Sequence, residues 1–251
     1  TMRELRGTRA GMLAQPGDLH RGWILPALSL GAALPRGVSG FLTDLLADAT
    51  GPASATQFRC FLRFCTDFAR LRRGPSVVDR LVARTEGLER IDEAARAGRG
   101  LLLVSAHLGN WELGAAIAAR RGVAVTVVSE RAPDRALDRW REETRARCGV
   151  GTAYLGDPAL APRILEALRA GGCVAMLVDR EPEPGAGAAR IAALTGAVIL
   201  PAFVPFLPDD RYAAIVEPPA RDAEALRAAV ARAVDLWRDQ WYPPPAEEGP
   251  R

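Results

Sequence analysis

From residue 101 onward, short apolar runs alternate with amphipathic stretches, and this rhythm constrains the fold more than any other feature of the chain. Residues 101–105 read Leu-Leu-Leu-Val-Ser, apolar at nearly every position, as in a strand covered on both faces. Similar runs follow at 123–129, 151–155 and 173–178. Helical segments are expected between them. Residues 111–121 are rich in small side chains and end at Gly122, and 133–147 end at Gly149. Asp157-Pro158 opens a third helix, to Ala170, through an N-cap followed by proline, and a short fourth spans 188–194 before Gly196. Two more strands, 197–206 and 212–217, flank the turn Pro208-Asp209-Asp210, and a last helix covers 222–241. Strands alternating with helices predict the α/β class: a mixed sheet, parallel through its centre and flanked by helices, whose last strand pair is free to run antiparallel.

Upstream, Phe58, Phe61, Leu62, Cys65 and Phe68 recur at helical spacing, and a short extended piece and a helix are expected within 79–98, stopped by Gly98 and Gly100. The chain therefore divides into an N-terminal helical segment at 1–75, an α/β domain at 76–242 and a loose tail at 243–251.

Composition excludes several function classes. A net charge of +3, with arginines scattered among acids, does not make a nucleic-acid-binding protein, but is compatible with weak attraction to an anionic membrane surface. All 33 basic residues are arginine. Codon bias accounts for this most simply, with bidentate recognition of phosphate or carboxylate as the sharper reading at a few positions. Cys60, Cys65, Cys148 and Cys173 form no CxxC pair, and the chain has 2 histidines, so no metal site is expected. No apolar run reaches the roughly 18–20 residues of a membrane span. Residues 23–30 come nearest and are interrupted by Pro26; they read equally as a docking helix or as a segment lying in the membrane interface, anchored by Trp23 and flanked by Arg21 and Arg36.

Chemistry converges beyond the carboxyl ends of the strands, where ligands bind in such sheets. His107 follows the first buried strand, Glu130 follows 123–129, and Asp179, Arg180 and Glu181 follow 173–178. Strand ends are generally polar, but a set that includes one of two histidines points to proton transfer near neutral pH. Glu112 lies five positions after His107, a rotation of about 140° in a regular helix, so the two can meet only if His107 precedes the helix and Gly109-Asn110 make the turn. A carboxylate on one ring nitrogen leaves the other free as a base, and the first amides of the following helix can favour an oxyanion. The absence of a GxSxG elbow and of a Walker pattern argues against a serine hydrolase and a P-loop enzyme. A base without a protein nucleophile implies direct attack by an activated hydroxyl.

Ala-His-Leu-Gly-Asn-Trp-Glu at 106–112 resembles the HxxxxD/E motif of the bacterial late lipid A biosynthesis acyltransferase family, which includes the phosphatidylinositol mannoside acyltransferases. The similarity continues through Val-Val-Ser-Glu-Arg at 127–131, Arg-Ala-Arg-Cys-Gly at 145–149, Met-Leu-Val-Asp-Arg-Glu at 176–181, Ala189-Arg190, Leu-Thr-Gly-Ala at 194–197, Pro-Ala-Phe at 201–203 and Gln-Trp-Tyr at 240–242. The resemblance implies a glycerolipid acyltransferase-like fold. It also implies transfer of a fatty acyl group from acyl-CoA or acyl carrier protein to a hydroxyl of a membrane glycolipid, either a lipid A precursor or a phosphatidylinositol mannoside, by a peripheral enzyme at the cytoplasmic face of the inner membrane. No cofactor beyond the thioester co-substrate is implied. His107 becomes the general base, with Glu112 or Glu181 as its partner. Glu130, Arg145, Arg180 and Asn110 complete the expected site as substrate-binding residues; Arg145 reads almost equally as a helix C-terminal residue complementing the dipole. Only residues 182–186 separate Glu181 from Gly187, where members of the family carry a longer stretch. The rival functions are a non-catalytic, lipid-binding relative and a thioesterase-type hydrolase in which His107 activates water.

Overall fold

The computed structural model describes residues 52–132 and 135–242, with side chains from residue 56 except Phe58. The interfacial reading of residues 23–30, His20 and the tail at 243–251 lie outside the described residues.

Chain order is α1 (Pro52–Leu71), α2 (Ser76–Leu81), β1 (Val82–Glu86), α3 (Glu89–Arg96), β2 (Leu101–Ser105), α4 (Trp111–Arg120), β3 (Val125–Ser129), α5 (Arg135–Ala146), β4 (Val150–Tyr154), α6 (Leu160–Arg169), β5 (Cys173–Leu177), α7 (Ala186–Thr195), β6 (Val198–Phe203), β7 (Tyr212–Val216) and α8 (Ala223–Leu236). The seven strands form one sheet in the order β1-β7-β6-β2-β5-β3-β4. Every neighbouring pair is parallel except β6 with β7. The mixed, centrally parallel sheet expected from the sequence is therefore the one observed.

The apolar run in β2 explains why that strand is central. Leu101 and Leu103 face one core with Leu113 and Ala116 of α4, Ile91 of α3 and Phe68 of α1. Leu102 and Val104 face the other, with Ile164 and Leu168 of α6, Ala188 of α7 and Leu226 and Val230 of α8. Successive side chains of a strand point to opposite faces, so a strand buried on both sides must be apolar throughout. Among the described residues no helix is long and apolar enough to cross a membrane.

Three elements differ from expectation. Helix α6 opens at Leu160 with Ala159 at its N-cap, so Asp157-Pro158 precede it in a turn in which Asp157 Oδ1 accepts from the Ala159 N–H at 2.9 Å. Residues 76–81 form a helix ahead of β1, with Val77, Val78 and Leu81 buried. The last helix is capped by Asp222, whose Oδ1 accepts from the Ala225 N–H at 2.8 Å, but ends at Leu236. A single 3₁₀ turn, Arg238–Gln240, follows it. The chain leaves the helix there because Gln240 is committed elsewhere: its amide oxygen accepts from Phe206 N–H at 2.6 Å and its Nε2 donates to Phe206 O at 3.1 Å.

Candidate active site

Strand order brings the carboxyl ends of β2 and β5 side by side, with Ser105 opposite Leu177. His107 and Asp179 are each two residues beyond those ends. The His107 ring Nδ1 lies 2.9 Å from Asp179 Oδ1, and the His107 backbone N–H donates to the same oxygen at 3.1 Å. Trp241 Nε1 donates to the other oxygen, Oδ2, at 2.8 Å. The Asp179 side chain is 3% exposed and that of His107 21%, so the carboxylate is enclosed while the imidazole reaches the surface. Burial pushes the Asp179 carboxyl up, but the His107 ring, the Trp241 indole and the His107 amide together outweigh burial and hold it below the usual carboxylate range.

The loop carrying His107 is held from both sides. Leu108 bridges Trp241 and Gly109 bridges Val204. Gly109 has φ +58°, and a Cβ there would stand 2.2 Å from the Val204 carbonyl oxygen, so only glycine fits this close approach. Asn110 then caps α4: its Oδ1 accepts from Leu113 N–H at 3.0 Å. Its Nδ2 donates to Tyr212 Oη at 3.2 Å, and Tyr212 Oη donates to Asp67 Oδ2 at 3.0 Å. Asp67 is in turn paired with Arg63 and Arg70, each at 2.6 Å. Asn110 is wholly buried, and this network engages both ends of its amide.

Glu112 occupies the first turn of α4 and pairs with Arg145 in the last turn of α5, with Nε to Oε2 at 2.9 Å and Nη2 to Oε1 at 2.5 Å. Both side chains are about nine-tenths buried or more, at 4% and 5% exposure. Burial raises the Glu112 carboxyl, but the adjacent guanidinium holds it below its ordinary value. Arg145 also donates to Thr152 Oγ1 at 3.3 Å. Two residues expected at the site are thus joined to each other: both Glu112 carboxylate oxygens are engaged by Arg145, while the imidazole Nδ1 is taken by Asp179.

Glu181 lies on the short connection into α7, where its Oε2 accepts from Gly185 N–H at 3.1 Å. Gly185 has φ +84°. The brief stretch between Glu181 and Gly187 is therefore a closed turn tied by the side chain that opens it. Burial, and then Asp179, push the Glu181 carboxyl up, against the pull of the Gly185 amide. Arg180 is exposed and donates to the Tyr242 carbonyl at 3.4 Å. Glu130 is exposed at the end of β3, one strand beyond β5, and its carbonyl accepts from Arg141 at 3.3 Å.

Asp179 was legible as one of three polar residues at the end of β5, yet the carboxylates expected to meet the imidazole were Glu112 and Glu181. The signal for Asp179 is its offset: it sits as far past β5 as His107 sits past the adjacent β2. Trp241 enters the sequence reading only within the Gln-Trp-Tyr block of the resemblance; the bridge to Leu108 is what brings its indole to Asp179.

An aromatic cluster adjoins the imidazole through Trp111. The His107 and Trp111 rings meet edge to face at 5.3 Å, and Trp111 stacks on Phe64 at 4.3 Å and meets Tyr242 at 5.8 Å. On α4, Ala115, Ala116 and Ala118 are buried, and a Cβ at Gly114 would meet Val204 Cγ2 at 3.2 Å. Tight packing of helix on sheet accounts for these small residues. Among the described residues no group of three or more His, Cys, Asp or Glu could hold a metal ion, and all four cysteines are free thiols.

A search of curated proteins finds no match to this chain. The sequence pattern of the family described as bacterial lipid A biosynthesis acyltransferase matches residues 55–235, which takes in every strand of the sheet and the His107–Asp179 pair. With more than half of its length matched, the chain belongs to the bacterial lipid A biosynthesis acyltransferase family.

Proposed function

We propose that this protein transfers a fatty acyl group from a thioester donor, acyl-CoA or acyl carrier protein, to a hydroxyl of a membrane glycolipid of the lipid A precursor or phosphatidylinositol mannoside type. The observation that carries the reading is the His107–Asp179 contact: a partly exposed imidazole whose Nδ1 rests on an enclosed carboxylate. Asp179 fixes the tautomer with hydrogen on Nδ1, leaving Nε2 as the base, and stabilises the imidazolium that forms. The acceptor hydroxyl gives its proton to Nε2 as its oxygen attacks the thioester carbonyl. The tetrahedral intermediate then collapses, the C–S bond breaks, and the imidazolium returns the proton to the departing sulfur. Ester and thiol are the products. The opening amides of α4, which begins four residues after His107, are assigned to the developing oxyanion, apart from that of Leu113, which Asn110 caps.

Glu112 and Arg145 serve this reading by fixing the start of α4 against α5. Glu130 and Arg180, both exposed on the same rim, are assigned to substrate contact. The enzyme is placed at the cytoplasmic face of the inner membrane as a peripheral protein; residues 1–36 are assigned to that attachment, and their removal weakens sedimentation with anionic vesicles.

Incubation of the protein with labelled acyl-CoA or acyl carrier protein, in a matrix with lipid A precursor and phosphatidylinositol mannoside, tests the function. Labelled acyl-glycolipid is the expected product. Free fatty acid alone identifies a hydrolase, and lipid binding without either product identifies a non-catalytic relative.

A further inference from the structure

The His107 loop and the Asp179 carboxylate are both hydrogen-bonded by a segment beyond the matched residues 55–235. Residues 240–242 run as a strap across the His107 loop. Tyr242 N–H donates to the His107 carbonyl at 2.7 Å, and Gly109 N–H donates to the Gln240 carbonyl at 3.2 Å. The Gln240 side chain clamps both backbone groups of Phe206, Gln57 donates to the Trp241 carbonyl at 3.4 Å, and Arg180 holds the Tyr242 carbonyl. The backbone of Trp241 is therefore in fixed register with Leu108. That register delivers the indole N–H to Asp179 Oδ2.

The division of labour on Asp179 is specific. Oδ1 receives two donors, both from His107, and Oδ2 receives the indole. The carboxylate side chain is 3% exposed, so water cannot readily replace a donor that is lost. Without the indole, one oxygen of a buried carboxylate is left unsatisfied, and the group gains by rotating away from the arrangement that presents Oδ1 to the ring. An indole donor carries no charge and does not compete with the imidazole for the proton.

We propose that Trp241 is a positioning residue for His107, acting through Asp179: the strap sets the indole, the indole sets the carboxylate, and the carboxylate sets the ring tautomer. This rests on the assignment of His107 as the base, and Trp241 itself lies outside residues 55–235.

The test replaces Trp241 alone with its sulfur isostere, benzothienylalanine, which keeps the shape and removes the N–H; Trp241→Phe serves as the genetic counterpart. A His20→Asn background leaves His107 as the single imidazole, because the chain has 2 histidines, and ¹⁵N shifts then report its tautomer without any assay of activity. The expected result is a mixed tautomer where the parent has hydrogen on Nδ1. It is accompanied by a kcat lower by about 10-fold to 100-fold, the loss expected for one hydrogen bond to a charged acceptor, with KM for both substrates unchanged. An isostere protein with the parent's tautomer overturns the proposal, whatever its kcat. A changed tautomer with the parent's kcat upholds the positioning and overturns the base assignment instead. Because the isostere preserves packing, a failure of Trp241→Phe to fold does not affect the reading.

Discussion

Glu112 and Arg145 close on each other as a two-pronged ion pair inside the protein, 2.9 and 2.5 Å across its two hydrogen bonds. The pair joins the first turn of α4, which leads directly from the His107 loop, to the last turn of α5. Its partners are enclosed, so the cost of removing one is set by the charge left behind. Arg145→Met is expected to lower unfolding free energy by about 3–5 kcal/mol, the range for an orphaned buried charge. The double variant Glu112→Leu, Arg145→Met recovers most of that loss. Urea denaturation measures all three. A single variant as stable as the parent contradicts the structural role given to the pair.

Gly109→Ala is expected to be among the most damaging single changes near the site. The new methyl meets the Val204 carbonyl at 2.2 Å, and φ +58° is strained for any residue with a Cβ. The variant loses the Gly109–Val204 bridge and with it the placement of His107. Circular dichroism melts report the destabilisation. An alanine variant with the parent's melting temperature contradicts the close approach described.

Tyr212→Phe removes the hydroxyl that links Asn110 to Asp67, leaving the Asn110 amide with one unmade bond in a fully buried position. The expected loss is about 1–3 kcal/mol, as for a buried polar group deprived of its partner. Denaturant titration measures it, and a neutral or stabilising result contradicts the network.

Stability should fall in acid for a reason that can be assigned to residues. The carboxyls of Asp179 and Glu112 are held below their ordinary values in the folded protein. Their contribution is present in full above about pH 5, just over the ordinary carboxylate range, and is lost progressively as pH falls through the depressed folded values. Glu217 has the opposite sign. Burial pushes its carboxyl up against the pull of Arg232, so its contribution is present below the ordinary value and is lost as pH rises through the raised one. Urea midpoints followed across pH should show a flatter acid limb in Asp179→Asn and a gain on the neutral side in Glu217→Gln. An unchanged acid limb in Asp179→Asn contradicts the account of that carboxylate.

The sequence carried the fold well because the sheet is central and buried. β2, β5 and their helices are fixed by local apolar periodicity and by glycine stops, both of which can be read residue by residue. The site was legible only in part, because partner choice depends on strand order. β5 inserts between β2 and β3. That places Asp179 beside His107 and moves Glu130 one strand further away, and nothing in the order of residues along the chain states it. Glu112 shares the motif with His107, yet its turn of α4 directs it to Arg145, more than thirty residues away. Trp241 enters through an antiparallel bridge between residues far apart in sequence, the kind of contact that local pattern does not encode.

The account rests on His107 as the base of an acyl transfer, and the rate of acyl-glycolipid formation by folded His107→Ala tests it most directly. With the thermal unfolding of the variant matched to the parent, the rate is predicted to fall by about 10²–10⁴-fold, the contribution of a positioned general base. A rate equal to that of the parent protein would contradict the account.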